Sequence, residues 1–246
     1  MNKLGKIYVV GIGPGDREHM TSHAKIAIDK SDIIVGYKTY IDLLEDMIKN
    51  KEVVSSGMKK EIERCIEALE YAKQGKIVSL VSSGDSGVYG MAGIMLEVVL
   101  KDGSDVEVEV VPGVTAANAA AASLGAPIMH DYVTISLSDL LTDWSLIERR
   151  LHCVGEGDFV VCLYNPKSKG RQQQIEIARE ILLKYKSKNT IVGIVRNAKR
   201  YGESVIVTTL GDMLKYEIDM FTTVIVGNSN TYSVKKMMIT PRGYRL

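Results

Sequence analysis

Cysteine is scarce in this sequence: Cys65, Cys153 and Cys162 are an odd three, and none sits in a CxxC pair. That argues against a disulfide framework or a zinc knuckle. Charge of one sign is missing too. The 31 Lys and Arg against 30 Asp and Glu leave a formal charge of +1, so no global field advertises nucleic acid as a partner. No apolar run approaches the ~18 residues of a membrane span. Gly11, Gly13 and Gly15 interrupt the first apolar segment, so no signal-peptide-like run opens the sequence. No Gly-Lys-Ser/Thr tail follows a glycine loop, which excludes a nucleotide P-loop. Metal-ligand clusters, repeats and low-complexity segments are likewise not evident. The expectation is a cytoplasmic soluble protein with no protein-bound metal, no nucleic-acid partner and no membrane association.

What is present is an ordinary globular composition, 46% apolar and 25% charged over 246 residues. That length supports a substantial core, in one large α/β domain or two smaller ones. Three glycine loops each follow an apolar strand pattern: Gly11-Ile12-Gly13-Pro14-Gly15, Ser82-Ser83-Gly84-Asp85-Ser86-Gly87, and Pro112-Gly113-Val114-Thr115. Glycine admits close backbone approach, and open α/β sheets gather ligands at the carboxyl ends of their strands. Three such loops point to one pocket and a small-molecule enzyme.

The patterning predicts strands over 7–10, 33–35, 77–81 and 106–111, alternating with helices over 21–28, 39–49, 59–74, 88–101 and 115–124. Thr21 reads as an N-cap and Gly75 as a helix stop. On the 59–74 helix, Ile62, Cys65, Ile66, Leu69 and Ala72 are expected to share the inner face. Later strands are expected over 159–164, 190–195, 204–208 and 222–226, with a possible start at 133–135. A helix over 171–186 should place Ile175, Ala178, Ile181, Leu182 and Tyr185 inward. The closer spacing of the later strands suggests a mixed or antiparallel sheet. The expected fold class is α/β, with two α/β domains, 1–130 and 131–246, and a ligand cleft between them.

Taken singly, the loops leave alternatives open. The first departs from a dinucleotide fingerprint because Asp16 stands where glycine is required, and Pro14 lacks an N–H. Asp85 could accept hydrogen bonds from a ribose or amine, cap the following helix, or contribute by shaping its loop. His130 beside Asp131 could shuttle a proton or be structural, and these are the only catalytic candidates. Lys167, Lys169 and Arg171 follow the Tyr164-Asn165-Pro166 turn, as Arg196, Lys199 and Arg200 surround another strand end; a solvated helix start is the favoured reading for most of the lysines.

Together the ordered segments are more specific. The glycine loops, the run from Val111 to Pro127, Ile135-Ser136-Leu137-Ser138-Asp139-Leu140-Leu141-Thr142, Leu163-Tyr164-Asn165-Pro166-Lys167-Ser168 and Val195-Arg196-Asn197-Ala198 resemble the tetrapyrrole methylase family. Within it they look like the precorrin-3B or cobalt-factor III C17-methyltransferase branch. The resemblance implies S-adenosylmethionine as methyl donor, a corrinoid substrate, methylation at C17 with ring contraction in cobalamin biosynthesis, and a homodimer. Sibling enzymes acting at C11 or C20 are the alternative; a nicotinamide oxidoreductase or a non-catalytic corrinoid binder are the readings from other classes.

The resemblance maps donor contacts onto Pro14, Ser83, Gly84, Asp85, Thr115, Ala116, Tyr164, Asn165, Asn197, Ala198 and Thr209. Such a donor carries no pyrophosphate, so Pro14 in the first loop is no handicap. Where the family has proline after the acid of the second loop, this chain has Ser86, which is expected to loosen that loop. A corrinoid precursor is rich in carboxylates, which arginine can bind through two donors. Arg196, with Lys199 and Arg200 behind it, is therefore the expected substrate anchor.

Overall fold

A computed structural model describes residues 4–245. The chain divides into two compact units, one up to Ala116 and one from Ala117.

In the first unit the elements run β1 (Lys6–Gly11), α1 (Ser22–Lys30), β2 (Ile33–Tyr37), α2 (Lys38–Asp42), β3 (Glu52–Ser56), α3 (Glu61–Lys73), β4 (Ile77–Ser82), α4 (Ala92–Asp102) and β5 (Glu107–Val111). The five strands form one parallel sheet in the order β3-β2-β4-β1-β5. Its three inner strands, β1, β2 and β4, are largely apolar on both faces, as a sheet covered by helices requires, while the edge strands β3 and β5 are more polar. Ile7 and Val9 face α3 and α4, while Tyr8 and Val10 face α1 and α2. Thr21 caps α1, its hydroxyl accepting the Ala24 amide at 3.0 Å. Gly75, at φ 88°, ends the chain's path out of α3.

Several local expectations change. The helix expected over 39–49 is the short α2 followed by one 3-10 turn, and β3 was not anticipated. On α3, Ile62 and Ile66 lie 62% and 48% exposed, whereas Arg64 is buried. The small side chains of Cys65, Ala68 and Ala72 let α3 sit close to the sheet, and this rotates the two isoleucines to its flank. Cys65 and Cys162 are buried, and burial pushes both thiols up to about 12.

The second unit continues with α5 (Ala116–Leu124), β6 (Gly125–Ala126), β7 (Tyr132–Ser136), α6 (Trp144–Glu156), β8 (Val160–Tyr164), α7 (Gln174–Leu183), β9 (Ile191–Arg196), β10 (Ser204–Thr209), β11 (Thr222–Val226), β12 (Tyr232–Val234) and β13 (Met237–Ile239). Five strands order as β10-β9-β11-β8-β7. Only β7 and β8 are parallel; β8–β11, β11–β9 and β9–β10 are antiparallel. The sheet is mixed, as the close strand spacing suggested. A small sheet, β12-β13-β6, was not foreseen.

Helices α6 and α7 cover one face through Ile147, Leu151, Ile175, Ala178 and Leu182. The other face holds α5, whose Ala117, Ala120, Ala121 and Leu124 pack on Val160, Cys162, Val195 and Ile225. A β-carbon at Gly193 would lie 2.6 Å from a Leu124 methyl, so any larger residue there would force Leu124 to shift. The alanine-rich helix does pack closely on a sheet, but on that of the second unit. That is why the chain divides after Ala116, whereas the sequence placed its boundary at 130. Tyr185 lies past the end of α7 and is 44% exposed, not inward. Among the described residues no helix is long and apolar enough to cross a membrane.

Candidate active site

The three glycine loops of the first unit stand at the carboxyl ends of β4, β1 and β5, which are adjacent strands. They are knitted together by backbone. Gly13 and Gly84 form an isolated antiparallel bridge, with Gly13 N–H donating to Gly84 at 3.0 Å and Gly84 N–H donating back at 2.7 Å. A β-carbon at Gly11 would lie 2.8 Å from both Gly113 N and Gly84 O. Glycine is required here for close approach.

Asp85 is the tie between the second and third loops. Its Oδ1 accepts the Gly87 amide at 2.8 Å and its Oδ2 accepts the Gly113 amide at 2.9 Å. Of the roles expected of Asp85, ligand acceptor, helix cap or shaper of its loop, the geometry shows the last: the carboxylate shapes the loops. Ser86 is fully buried, and its hydroxyl donates to the Val9 carbonyl at 3.0 Å. The expectation that serine in place of proline loosens this loop is therefore corrected, because a buried hydrogen bond replaces the ring's constraint.

Gly84 lies against the third loop: a β-carbon there would be in van der Waals contact with Ala116 N and Thr115 Cα, both at 3.7 Å, and φ of 68° disfavours a side chain. Pro14 is buried and Ser83 half-buried at the neighbouring strand ends.

In the second unit, β8 and β9 run in the same direction because each is antiparallel to β11. Leu163 and Ile194 both face Val224, so the two strands end nearly level. Each is followed by an asparagine in the left-handed region, Asn165 at φ 50° and Asn197 at φ 53°. Asparagine tolerates that conformation better than most residues. Asn165 Nδ2 donates to Ser136 Oγ at 3.0 Å, and Asn197 N–H to the Phe221 carbonyl at 3.0 Å. Ala198, Lys199 and Arg200 continue the second turn, with Lys199 at φ 55°. The Tyr164 hydroxyl accepts the Ala117 amide at 2.8 Å, holding the first turn of α5.

Other expected residues lie elsewhere or are engaged. Thr209 pairs with Ile191, at the amino end of β9, so it stands at the opposite end of this sheet from Asn197. Antiparallel pairing of β10 is the cause. His130 and Asp131 precede β7 and share that far edge, with side chains 45% and 83% exposed. Their nearest ring-to-carboxylate approach is 3.8 Å. Arg196 Nε donates to Asp219 Oδ2 at 2.7 Å. The same carboxylate accepts from Thr222 Oγ1 and Phe221 N–H, both at 2.9 Å. Burial pushes Asp219 up, but these hydrogen bonds outweigh it and hold the group below the usual carboxylate range.

Sequence reasoning missed Arg171. It is buried, and it donates to Ser138 Oγ at 3.1 Å and to the Asn165 carbonyl at 2.9 Å. The signal available was the Ser136/Ser138 alternation, which offers two hydroxyls beside the β8 turn. At the amino edge of the same sheet a cavity of about 300 Å³ is lined by Asp158, Lys186, Asn189, Asn228, Ser229 and Thr231. Its Lys186 ammonium is paired with Asp158 at 3.0 Å.

The tetrapyrrole (corrin/porphyrin) methylase family model matches residues 6–214. The chain belongs to that family. A cobalt-factor III methyltransferase of Priestia megaterium is 52% identical over 245 residues, covering 98% of this chain and 45% of that protein. A probable cobalt-factor III C(17)-methyltransferase of Salmonella typhimurium is 52% identical over 238 residues, covering 97% and 99%. Thus the chain spans less than half of the first relative and nearly all of the second. The crystal structure of the methyltransferase CobJ superposes with a TM-score of 0.92 at 34% identity, covering 96% of this chain and all of that one. The strand-end loops of this tetrapyrrole methylase are therefore read as its candidate active site.

Proposed function

We propose that the protein is an S-adenosylmethionine-dependent methyltransferase acting at C17 of cobalt-factor III or precorrin-3B, with ring contraction, in cobalamin biosynthesis. The observation that carries this reading is the knitting of three glycine loops at adjacent strand ends, in a chain that matches C17-methyltransferases along nearly its whole length. Glycine loops that carry the short hydroxyl residues Ser83 and Thr115 suit the ribose and adenine edge of such a donor. Pro14 offers no amide, which suits a donor without phosphate.

In this reading Pro14, Ser83, Gly84, Thr115 and Ala116 bind the donor in the first unit, with Asp85 holding their loops in register. Asn165, Asn197 and Ala198 are the corresponding contacts of the second. The donor supplies a methyl group already activated by a sulfonium centre, so the protein's task is chiefly orientation. Arg196 donates to Asp219 through Nε. Its terminal nitrogens, with Lys199 and Arg200, are assigned to the acidic side chains of the macrocycle. A homodimer is part of the proposal.

The test is incubation with cobalt-factor III and methyl-labelled donor, followed by mass and NMR analysis of the product. A label at C17 is expected. Transfer to C11 or C20, or no transfer at all, overturns the assignment.

A further inference from the structure

Arg171 is a buried cation without a counter-charge. It is 6% exposed, and no acid pairs with it among the described residues. Its guanidinium meets only dipoles and a thioether. Nη1 donates to Ser138 Oγ at 3.1 Å, and Nη2 to the Asn165 carbonyl at 2.9 Å and towards Met220 Sδ at 3.8 Å. Nε is buried with no acceptor. A buried charge of this kind is poor value for stability, since an apolar side chain of similar volume is commonly neutral or better.

The geometry supplies another reason for it. Ser138 follows β7, Asn165 follows β8 and Met220 precedes β11, so one planar group reaches three strand ends on a single edge of the sheet. A tight turn delivers it there: Ser168 and Arg171 exchange backbone hydrogen bonds of 2.9 and 3.1 Å. The start of α7 has no side-chain cap that would fix the approach in its place. Asn165 is held from both ends, its amide by Ser136 and its carbonyl by Arg171. Lysine cannot copy this, because an ammonium is a point charge without the guanidinium fork.

We propose that Arg171 is the positioning residue of the Tyr164–Asn165 turn, clamping the Asn165 carbonyl to the 136–138 segment and so setting affinity for the methyl donor. The affinity clause rests on the donor role given to Asn165 above. The clamp itself is a property of the second unit alone.

The test compares Arg171→Met, Arg171→Lys and Ser138→Ala with the unaltered protein. Readouts are S-adenosylhomocysteine affinity by calorimetry, KM for donor and macrocycle, melting temperature, and amide hydrogen exchange at Leu137 and Ser138. Those amides bond to Tyr164 O at 2.9 Å and Ser136 Oγ at 3.2 Å. Arg171→Met is expected to melt near the original temperature, lose affinity ten-fold or more, and raise the donor KM alone. Lysine is expected not to rescue, and exchange at both amides should quicken. Ser138→Ala, which keeps the buried arginine, should show the same signs more weakly, and it decides the matter if the methionine variant does not fold. Unaltered affinity and exchange in the folded variants overturn the proposal. If the unaltered protein binds no S-adenosylhomocysteine, the donor assignment falls, and the exchange rates still decide whether Arg171 fixes the turn.

Discussion

Asp85 accepts the Gly113 amide at 2.9 Å, joining the loop after β4 to the loop after β5 across the end of β1. Hydrogen bonds to a charged acceptor contribute roughly 1.5–3 kcal/mol each, and Asp85 makes a second one to Gly87. Asp85→Ala should therefore lower unfolding stability by about 2 kcal/mol or more, and weaken donor binding about ten-fold by letting the loops part. Denaturant unfolding and calorimetry read the two effects separately. Lost affinity at full stability would mean that the carboxylate touches the ligand itself.

Gly113 is the tightest point of that junction. A β-carbon there would lie 2.5 Å from the Gly11 carbonyl oxygen and 2.7 Å from its carbon, both backbone atoms that cannot swing aside. Gly113→Ala should cost about 1–3 kcal/mol by overpacking and abolish donor binding. Gly93 provides the control, since a β-carbon added there meets nothing within 4 Å on an exposed helix. Gly93→Ala should be neutral or stabilising by up to about 1 kcal/mol. Equal effects at the two positions would show that the close approach of the loops is unimportant.

How much of this could be read in advance depended on the range of the interaction. Thr21 capping α1 and Gly75 ending α3 are decided within a few residues, and both stand as expected. The three loops were legible because each needs only its own strand and glycine. That Asp85 shapes its loop was among the expectations, but its partner Gly113 was not, because it lies 28 residues away. Thr209 and Asn197 look equivalent as strand ends, yet β10 runs against β9 and takes Thr209 to the other edge. The buried role of Arg171 was hidden for a related reason: its acceptors come from the segments that follow β7 and β8. Ile62 and Ile66 fit a helical stripe, but the packing partner chose the narrower stripe of small side chains beside it.

Tyr164 is an expected donor contact, and its hydroxyl accepts the Ala117 amide at 2.8 Å. Ala117 is fully buried, and an orphaned amide there costs about 1–3 kcal/mol. Tyr164→Phe should lose that much stability in denaturant unfolding while keeping most of its donor affinity. A stable variant with poor donor binding would return the hydroxyl to the ligand.

The Arg196–Asp219 pair separates pH from substrate effects. Asp219 is pushed up by burial and down by Arg196, Thr222 and the Phe221 amide, with the net below its usual value of 3.8. A carboxylate depressed in the folded state stabilises it above the unfolded pKa, and that gain is lost as pH falls through the lower folded value. Asp219→Asn should therefore be less stable than the unaltered protein at pH 7, with the gap closing below about pH 4. Urea midpoints over that range measure it, and a gap independent of pH would show that Asp219 acts through packing. Arg196→Ala removes the partner but leaves the other hydrogen bonds of Asp219 in place. Its stability loss should be the smaller of the two, because the arginine side chain is 37% exposed and solvent screens the pair. If its terminal nitrogens hold a macrocycle carboxylate, the macrocycle KM should rise several-fold and the donor KM should not move. A lower melting temperature with both KM values intact would leave Arg196 as a strut for Asp219 and nothing more.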